Sequence, residues 1–324
     1  MISLKDILVA RQIIVPHIYS TPLRYSYALS EKVGAEVYLK PENLQRTGSF
    51  KVRGALNRVF HLSAAEKAQG TVAASSGNFA VGAAYATHVA GDVPLCLFMA
   101  ETTPHSKLDK LRSYQVEIVL TGEDYEDAHE ASVAYQQEHN KVYLHTYDDP
   151  LVMAGQGTIG IEIMEDLPDA DVILIPIGGG GLISGIAVAA KSINPDIHIV
   201  GAQVSASPSA QLSLQQGRAI EHYKSAPTMA EGLAGGFGLL PFQTAAHLLD
   251  EVVLLDEDEL AVGIYTMLTR EQLVIEASGI VGVSALLSGK VDVQGKKVAV
   301  VLSGGNIDAG LLTRIMNEMQ GHTA

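Results

Sequence analysis

Val172-Ile173-Leu174-Ile175-Pro176-Ile177-Gly178-Gly179-Gly180-Gly181-Leu182-Ile183-Ser184-Gly185 is the stretch on which the fold turns. It opens the run Val172 to Ala190, which carries no charge and is long enough to suggest a membrane helix. Five glycines and Pro176 argue against that, because they divide the run into a buried strand, a loop and a helix. In the loop, four consecutive glycines remove every Cβ. Backbone N–H groups can then close on an anion while the helix N-terminus adds its partial positive charge. Gly178, Gly179, Gly180 and Gly181 therefore read as a phosphate cup. A dinucleotide loop needs glycines at i, i+2 and i+5, which no register supplies, and a P-loop needs lysine after Gly185, where Ile186 stands.

Outward from this unit the same alternation recurs. Upstream, Thr71 to Ala74, Val93 to Met99, Val116 to Leu120 and Lys141 to Leu144 read as strands. Helices are expected over Asn78 to Ala90, from Pro104 through Tyr114 and over Tyr125 to His139. Downstream, strands at Ile197 to Gln203, Val252 to Leu255 and Lys297 to Leu302 frame a helix from Asp256. The N-terminal segment adds a helix over residues 3 to 15, an extended crossing at Thr21-Pro22-Leu23 and a strand at Ala35 to Lys40. The pattern predicts an α/β fold of two doubly wound parallel-sheet domains. The small domain is placed at residues 69 to 147, the large one at 1 to 68 plus 148 to 324. The Asp148-Asp149-Pro150 break and the pair Gly155 and Gly157 mark the crossing back. A ligand is expected in the cleft between domains, near the carboxyl ends of strands.

Bulk composition narrows the partners. With 22 Lys+Arg against 36 Asp+Glu the net charge is -14, which repels phosphate backbones and anionic membranes, so neither nucleic acid nor membrane is expected. The single cysteine, Cys96, lies in an apolar run and reads as core; no internal disulfide is possible, and a reducing, cytoplasmic setting follows. The first twenty residues hold no apolar region of signal-peptide length, so secretion is not expected. The histidines show no HExxH spacing and no GxSxG elbow exists, which leaves a hydrolase without support.

Thr47-Gly48-Ser49-Phe50-Lys51-Val52-Arg53-Gly54-Ala55 places a lysine just inside a helix, with Ser49 as the expected N-cap and the helix running to about His61. A cation there opposes the helix dipole, which favours the neutral amine. An uncharged lysine attacks a carbonyl and holds an aldehyde cofactor as a Schiff base, the route by which pyridoxal phosphate is tethered. A lone lysine is more often a solvated surface residue; the neighbouring loops weigh against that. Ser75-Ser76-Gly77-Asn78-Phe79 also lies between a strand and a helix. Its hydroxyls and backbone donors suit a substrate carboxylate, and the Asn78 amide suits a phenolic oxygen on a ring, although alone the stretch is an ordinary helix cap. Ser303-Gly304-Gly305-Asn306 ends the last strand and offers a hydroxyl to a ring nitrogen; alone it is a turn.

In this order and after this lysine, these loops resemble the serine/threonine dehydratase and serine racemase family of fold type II pyridoxal-phosphate enzymes. The resemblance runs from Thr21-Pro22-Leu23 through Lys40-Pro41-Glu42-Asn43-Leu44-Gln45, the Lys51 loop, Ser75 to Asn78, Ala154-Gly155-Gln156-Gly157-Thr158 and the glycine cup to Leu302-Ser303-Gly304-Gly305-Asn306. It implies pyridoxal 5'-phosphate bound by Lys51 as Schiff base, with Phe50 beside the ring and Asn78 on the ring 3-oxygen. Gly178 to Gly181 would take the phosphate, Ser303 would face the ring nitrogen, and Ser76 would line the face opposite Lys51. Ser75, Ser76, Gly77 and Tyr147 would meet a small amino-acid substrate. The implied reaction is loss of the β-hydroxyl from L-threonine or L-serine, giving a 2-oxo acid and ammonia, in amino-acid degradation. A homodimer or higher homo-oligomer is implied as well. A specialised catabolic dehydratase of the hydroxyectoine-utilisation type and an amino-acid racemase stay open.

Three positions depart from the family pattern. Phe79 stands where many members have histidine, and Tyr147 where serine racemases have asparagine, so a side chain other than that of serine or threonine is conceivable. Racemases hold a divalent cation with a glutamate and an aspartate, but the matching stretch reads Gln203-Val204-Ser205-Ala206-Ser207-Pro208-Ser209, so no metal site is expected. Asp256 to Glu259 read as a helix N-terminal charge cluster. With the Ser303 loop close to the last residue given, an appended regulatory domain is not expected.

Overall fold

The computed structural model describes residues 1–103 and 105–322. In chain order its elements begin with α1 (Leu4–Ile14), β1 (Arg24–Tyr25), α2 (Tyr27–Val33), β2 (Glu36–Lys40), α3 (Lys51–Phe60) and α4 (Ala64–Gln69). There follow β3 (Thr71–Ala74), α5 (Asn78–Val89), β4 (Leu95–Met99), α6 (His105–Asp109), β5 (Val116–Leu120), α7 (Tyr125–His139) and β6 (Val142–Tyr143). The chain then forms α8 (Pro150–Asp166), β7 (Val172–Pro176), α9 (Gly181–Ile193), β8 (His198–Val204), α10 (Ser209–Gln216) and α11 (Leu239–Ala245). It closes with β9 (Glu251–Leu255), α12 (Glu257–Thr266), α13 (Ala277–Leu287), β10 (Lys297–Val301) and α14 (Ala309–His322).

The strands form two sheets. One is six-stranded in the order β1-β2-β10-β7-β8-β9, the other four-stranded in the order β5-β4-β3-β6. All pairings are parallel except β1 against β2 at one edge. The uninterrupted apolar sequences of β7 and β4 suit strands covered on both faces, and both are wholly buried, Cys96 included. Burial pushes the Cys96 thiol up to about 11, so it behaves as a core group.

The topology decides where a ligand can sit. In the larger sheet β7, β8 and β9 run outward in one direction, while β10 and β2 lie on the other side of β7. In the smaller sheet β3, β4 and β5 run one way and β6 lies on the other side of β3. Each sheet therefore has a switch point, where the loops leaving adjacent strands diverge and open a crevice. The loops at the first are the glycine stretch after β7 and the Ser303 stretch after β10; at the second they are Ser75 to Asn78 after β3 and Leu144 to Tyr147 after β6.

Three local expectations are corrected. Gly155 and Gly157 do not break the chain but lie inside α8, whose N-cap Asp149 accepts from the N–H groups of Leu151 and Val152. A Cβ at Gly155 would stand 2.6 Å from the Arg53 carbonyl, and one at Gly157 would stand 2.9 Å from that of Gly185. The glycines thus let α8 approach α3 and α9 closely, and burial overrides their poor helix propensity. Ser49 is not the N-cap of α3; Phe50 occupies that position without a side-chain cap. Ser49 instead pairs with Gly304 in an antiparallel bridge, and its buried Oγ has no hydrogen-bond partner among the described residues. The helix expected through Tyr114 stops at Asp109, because Leu111 and Tyr114 donate to the carbonyls of Leu108 and Leu111 in tight turns that bury Leu111. Its expected start, Pro104, lies outside the described residues.

Candidate active site

Three neighbouring strands, β2, β10 and β7, deliver their loops to one crevice, and hydrogen bonds tie those loops together. The Phe50 N–H donates to the Ser303 carbonyl at 3.0 Å, and the Gly305 N–H to the Gly48 carbonyl at 2.9 Å. Lys51 is therefore fixed relative to Ser303 before any ligand is considered. Its Nζ donates to the Thr146 carbonyl at 3.3 Å and lies 5.1 Å from the centroid of the Phe50 ring. Although the residue as a whole is only partly buried, its amine is enclosed, and this desolvation lowers its pKa from 10.5 to about 8 against the opposing charge of Glu276. The shift runs in the direction expected from the helix start, with burial as its main cause.

The glycine loop needs its glycines. A Cβ at Gly179 would fall 2.3 Å from Cδ1 of Tyr147, and one at Gly181 would fall 2.8 Å from the Tyr147 carbonyl. At Gly178 it would meet the Gly232 carbonyl at 2.8 Å; Gly180, at φ +96°, would strike the Phe237 ring at 2.3 Å. The loop leads into the 13-residue helix α9, whose first-turn N–H groups have no intrahelical acceptors. This is a cradle shaped for phosphate at a helix N-terminus.

Tyr147 and Thr146 link the cradle to Lys51, since one ring packs on Gly179 while the preceding carbonyl accepts from Lys51 Nζ. Burial raises the Tyr147 phenol to about 12, with Asp148 adding to the effect. His145 sets the turn: its buried Nδ1 accepts the N–H groups of Asp148 at 2.8 Å and Tyr147 at 3.3 Å, so the ring is neutral with its proton on Nε2. Burial lowers its pKa in the same sense.

On the far side, Asn78 opens α5. It donates from Nδ2 to Glu276 Oε1 at 2.5 Å and accepts at Oδ1 from Asn306 at 2.7 Å. The buried Ser303 Oγ donates to the Ser278 carbonyl at 3.4 Å, and Ser278 Oγ accepts from the Gly232 N–H, whose carbonyl faces Gly178. Phe50, Lys51, Asn78, the four glycines, Ser303 and Tyr147 are thus connected by a continuous set of contacts. Ser75 accepts the Gly77 N–H at 3.3 Å, and Gly77 faces open space. Ser76 shares that turn, half-buried, and makes no side-chain hydrogen bond among the described residues.

Glu276, Thr146, His145 and Ser278 are the site residues that pattern reading misses. Glu276 carried a signal, a carboxylate immediately before the apolar helix α13. Thr146 contributes a carbonyl, which no side-chain pattern reveals. Phe79, singled out as a departure, is buried in the core around β3 and α3. The Gln203 amide is engaged by the N–H groups of Ala210 and Gln211 and by Ser209.

An enclosed amine, a glycine cradle and a polar wall facing both define a site for a phosphorylated aldehyde. The model of the family described as pyridoxal-phosphate dependent enzyme matches residues 14–304, and the chain belongs to that family. It is 46% identical over 319 residues to the L-threonine ammonia-lyase of Thermotoga maritima, covering 98% of this chain and 79% of that one. Among solved structures, the processed form of threonine deaminase isoform 2 from Solanum lycopersicum aligns with a TM-score of 0.91 at 31% identity, over 97% of this chain and 92% of that one. Maize serine racemase aligns with a TM-score of 0.90 at 30% identity, over 99% and 98%.

Proposed function

We propose that this protein is a pyridoxal-phosphate-dependent ammonia-lyase that dehydrates L-threonine or L-serine to a 2-oxo acid and ammonia. The observation that carries this reading is the Lys51 amine, lowered to about 8 and joined to the glycine cradle through Thr146 and Tyr147. Bound at this site, the cofactor supplies an aldehyde carbon for attachment and a conjugated ring that draws electrons from the substrate Cα. Lys51 would tether it, Gly178 to Gly181 and the start of α9 would hold its phosphate, Phe50 would flank the ring, and Asn78 would meet the ring 3-oxygen. The hydroxyls of Ser75 and Ser76, the Gly77 backbone and the N-terminus of α5 receive the substrate carboxylate. Tyr147 closes the substrate side of the cradle.

Lys51 Nζ would take up the proton of a substrate Cα held beside it; an amine near 8 is partly neutral at physiological pH, which that role requires. Ser303 would offer the ring nitrogen an uncharged hydroxyl, which, unlike a carboxylate, would not hold that nitrogen protonated. This favours elimination, in which the departing hydroxyl removes charge promptly, over transamination.

The fold supports a division into lobes at residues 1 to 68 plus 148 to 324 and residues 69 to 147, with the site between them. A homodimer or higher oligomer in the cytoplasm fits the same reading; no helix of the described residues is long and apolar enough to cross a membrane. Ammonia and 2-oxo acid release, measured over a panel of β-hydroxy amino acids, tests the assignment. Release from threonine or serine is expected. Recovery of the opposite enantiomer without ammonia would replace the lyase by a racemase.

A further inference from the structure

The amide of Asn306 has a single possible sense. Its Nδ2 donates to the Thr47 carbonyl at 2.9 Å and to Asn78 Oδ1 at 2.7 Å, and its Oδ1 accepts from Lys110 Nζ at 2.9 Å. Turning the amide over would set its oxygen against two acceptors and its nitrogen against an ammonium group. Asn78 inherits that sense. Its Oδ1 is committed to Asn306 and one N–H to the Glu276 carboxylate at 2.5 Å, so turning it over would place nitrogen on nitrogen at one end and oxygen on a carboxylate at the other. One N–H of Asn78 remains to be offered elsewhere.

The four residues come from different parts of the fold. Asn78 and Lys110 belong to the segment that carries the four-stranded sheet, whereas Asn306 follows β10 and Glu276 precedes α13, beside the six-stranded sheet. The relay Lys110 to Asn306 to Asn78 to Glu276 therefore crosses the crevice more than once.

Resting on the cofactor assignment above, we infer that Asn306 and Glu276 are positioning residues that fix which end of the Asn78 amide faces the ring oxygen, and that Lys110 makes this setting depend on closure of the crevice. An amide free to turn over would present oxygen to oxygen for part of the time and perturb the electronics of the bound ring. The effect reaches the cofactor spectrum as well as the rate, which loss of packing alone does not require.

The test uses holoenzyme carrying Asn306→Ala, Asn306→Asp, Glu276→Leu, Glu276→Gln or Lys110→Met. The readouts are the visible absorbance band against pH, kcat and KM for threonine, and borohydride trapping of the pyridoxyl group on the Lys51 peptide. Asn306→Ala, Asn306→Asp and Glu276→Leu are expected to keep the Lys51 adduct and to shift the band or its pH midpoint. They should lower kcat roughly ten- to a hundredfold with little change in KM. Glu276→Gln, which keeps an acceptor oxygen for Asn78, should restore most of the band position. Lys110→Met, at an exposed position, should shift the band in the same direction with a smaller loss, and it carries the test should the Asn306 variants not fold. Wild-type band and kcat in Asn306→Ala and Glu276→Leu, or lost kcat with an unmoved band, overturn the inference while leaving the cofactor assignment intact. A wild-type protein without the Lys51 adduct overturns both.

Discussion

Lys51 Nζ and the carbonyl of Thr146 are hydrogen-bonded at 3.3 Å, across the gap between the start of α3 and the end of the small sheet. That contact holds the amine beside a wall built by Tyr147 and the glycine cradle. It also leaves the ammonium form poorly solvated, since one carbonyl is a weak substitute for water.

Burial of Lys51 sets a stability cost in the cofactor-free protein. With its folded pKa lowered from 10.5 to about 8, the unfolded chain binds the extra proton between those values, so stability rises with pH across that window. Cofactor-free Lys51→Met is expected to be more stable than wild type at pH 7, by up to about 3 kcal/mol, with the difference fading towards pH 10.5. Denaturant unfolding at both pH values measures it; equal stability at pH 7 would mean that the amine is solvated.

Glu276 opposes this shift, because its charge favours protonated Lys51. Removing the charge in Glu276→Gln should lower the Lys51 pKa further and move the acid limb of the kcat profile to lower pH. An unmoved or upward-moving limb contradicts the assignment of Lys51 as the base.

Gly179 is the tightest point of the cradle against Tyr147. Gly179→Ala forces a Cβ to 2.3 Å from the Tyr147 ring, so cofactor affinity should fall roughly tenfold or more. Adding Tyr147→Ala should restore part of it. Cofactor retained after dialysis, read by absorbance, gives the result; full retention in the single variant would show that the loop gives way freely.

Ser303 lies buried against the Ser278 carbonyl. Ser303→Asp should retain cofactor but change the elimination rate or the partition between reactions, because a carboxylate there would hold the ring nitrogen protonated. Unchanged kinetics and spectrum would remove Ser303 from the ring-nitrogen role.

Behind Lys51, the fully buried Arg53 donates to Glu42 at 2.8 Å, to Glu162 at 2.6 Å and to Thr158 at 3.1 Å, and Lys40 joins Glu162. Burial pushes the Glu162 carboxyl up, but Arg53 and Lys40 outweigh it and hold it below the usual range. Its stabilising contribution is present above the ordinary carboxylate pKa and is lost as pH falls through the lowered one. Arg53→Met should cost about 3 to 5 kcal/mol, chiefly by removing the ion-pair partner of the fully buried Glu42 carboxylate, since Lys40 still pairs with Glu162. A thermal melt that barely moves would mean that water replaces the guanidinium.

The sheets were legible because each strand is an apolar run bounded by glycine, proline or a cap, as in β7 and β4. The cradle and Lys51 were legible because four glycines and a misplaced cation are costly unless used. Gly155 and Gly157 misled because glycine marks close helix contact as readily as a break, and only the neighbours of α8 distinguish the two. Ser49 misled because a bridge to Gly304, far along the chain, took the place of a local cap. Glu276 and Thr146 escaped notice for the same reason: their roles arise from contacts across the crevice that chain order does not encode.

Trapping the holoenzyme with borohydride and mapping its peptides by mass tests the central claim most directly. The account predicts the pyridoxyl group on Lys51. Finding it on another lysine, or on none in a folded protein that has been given cofactor, would contradict it.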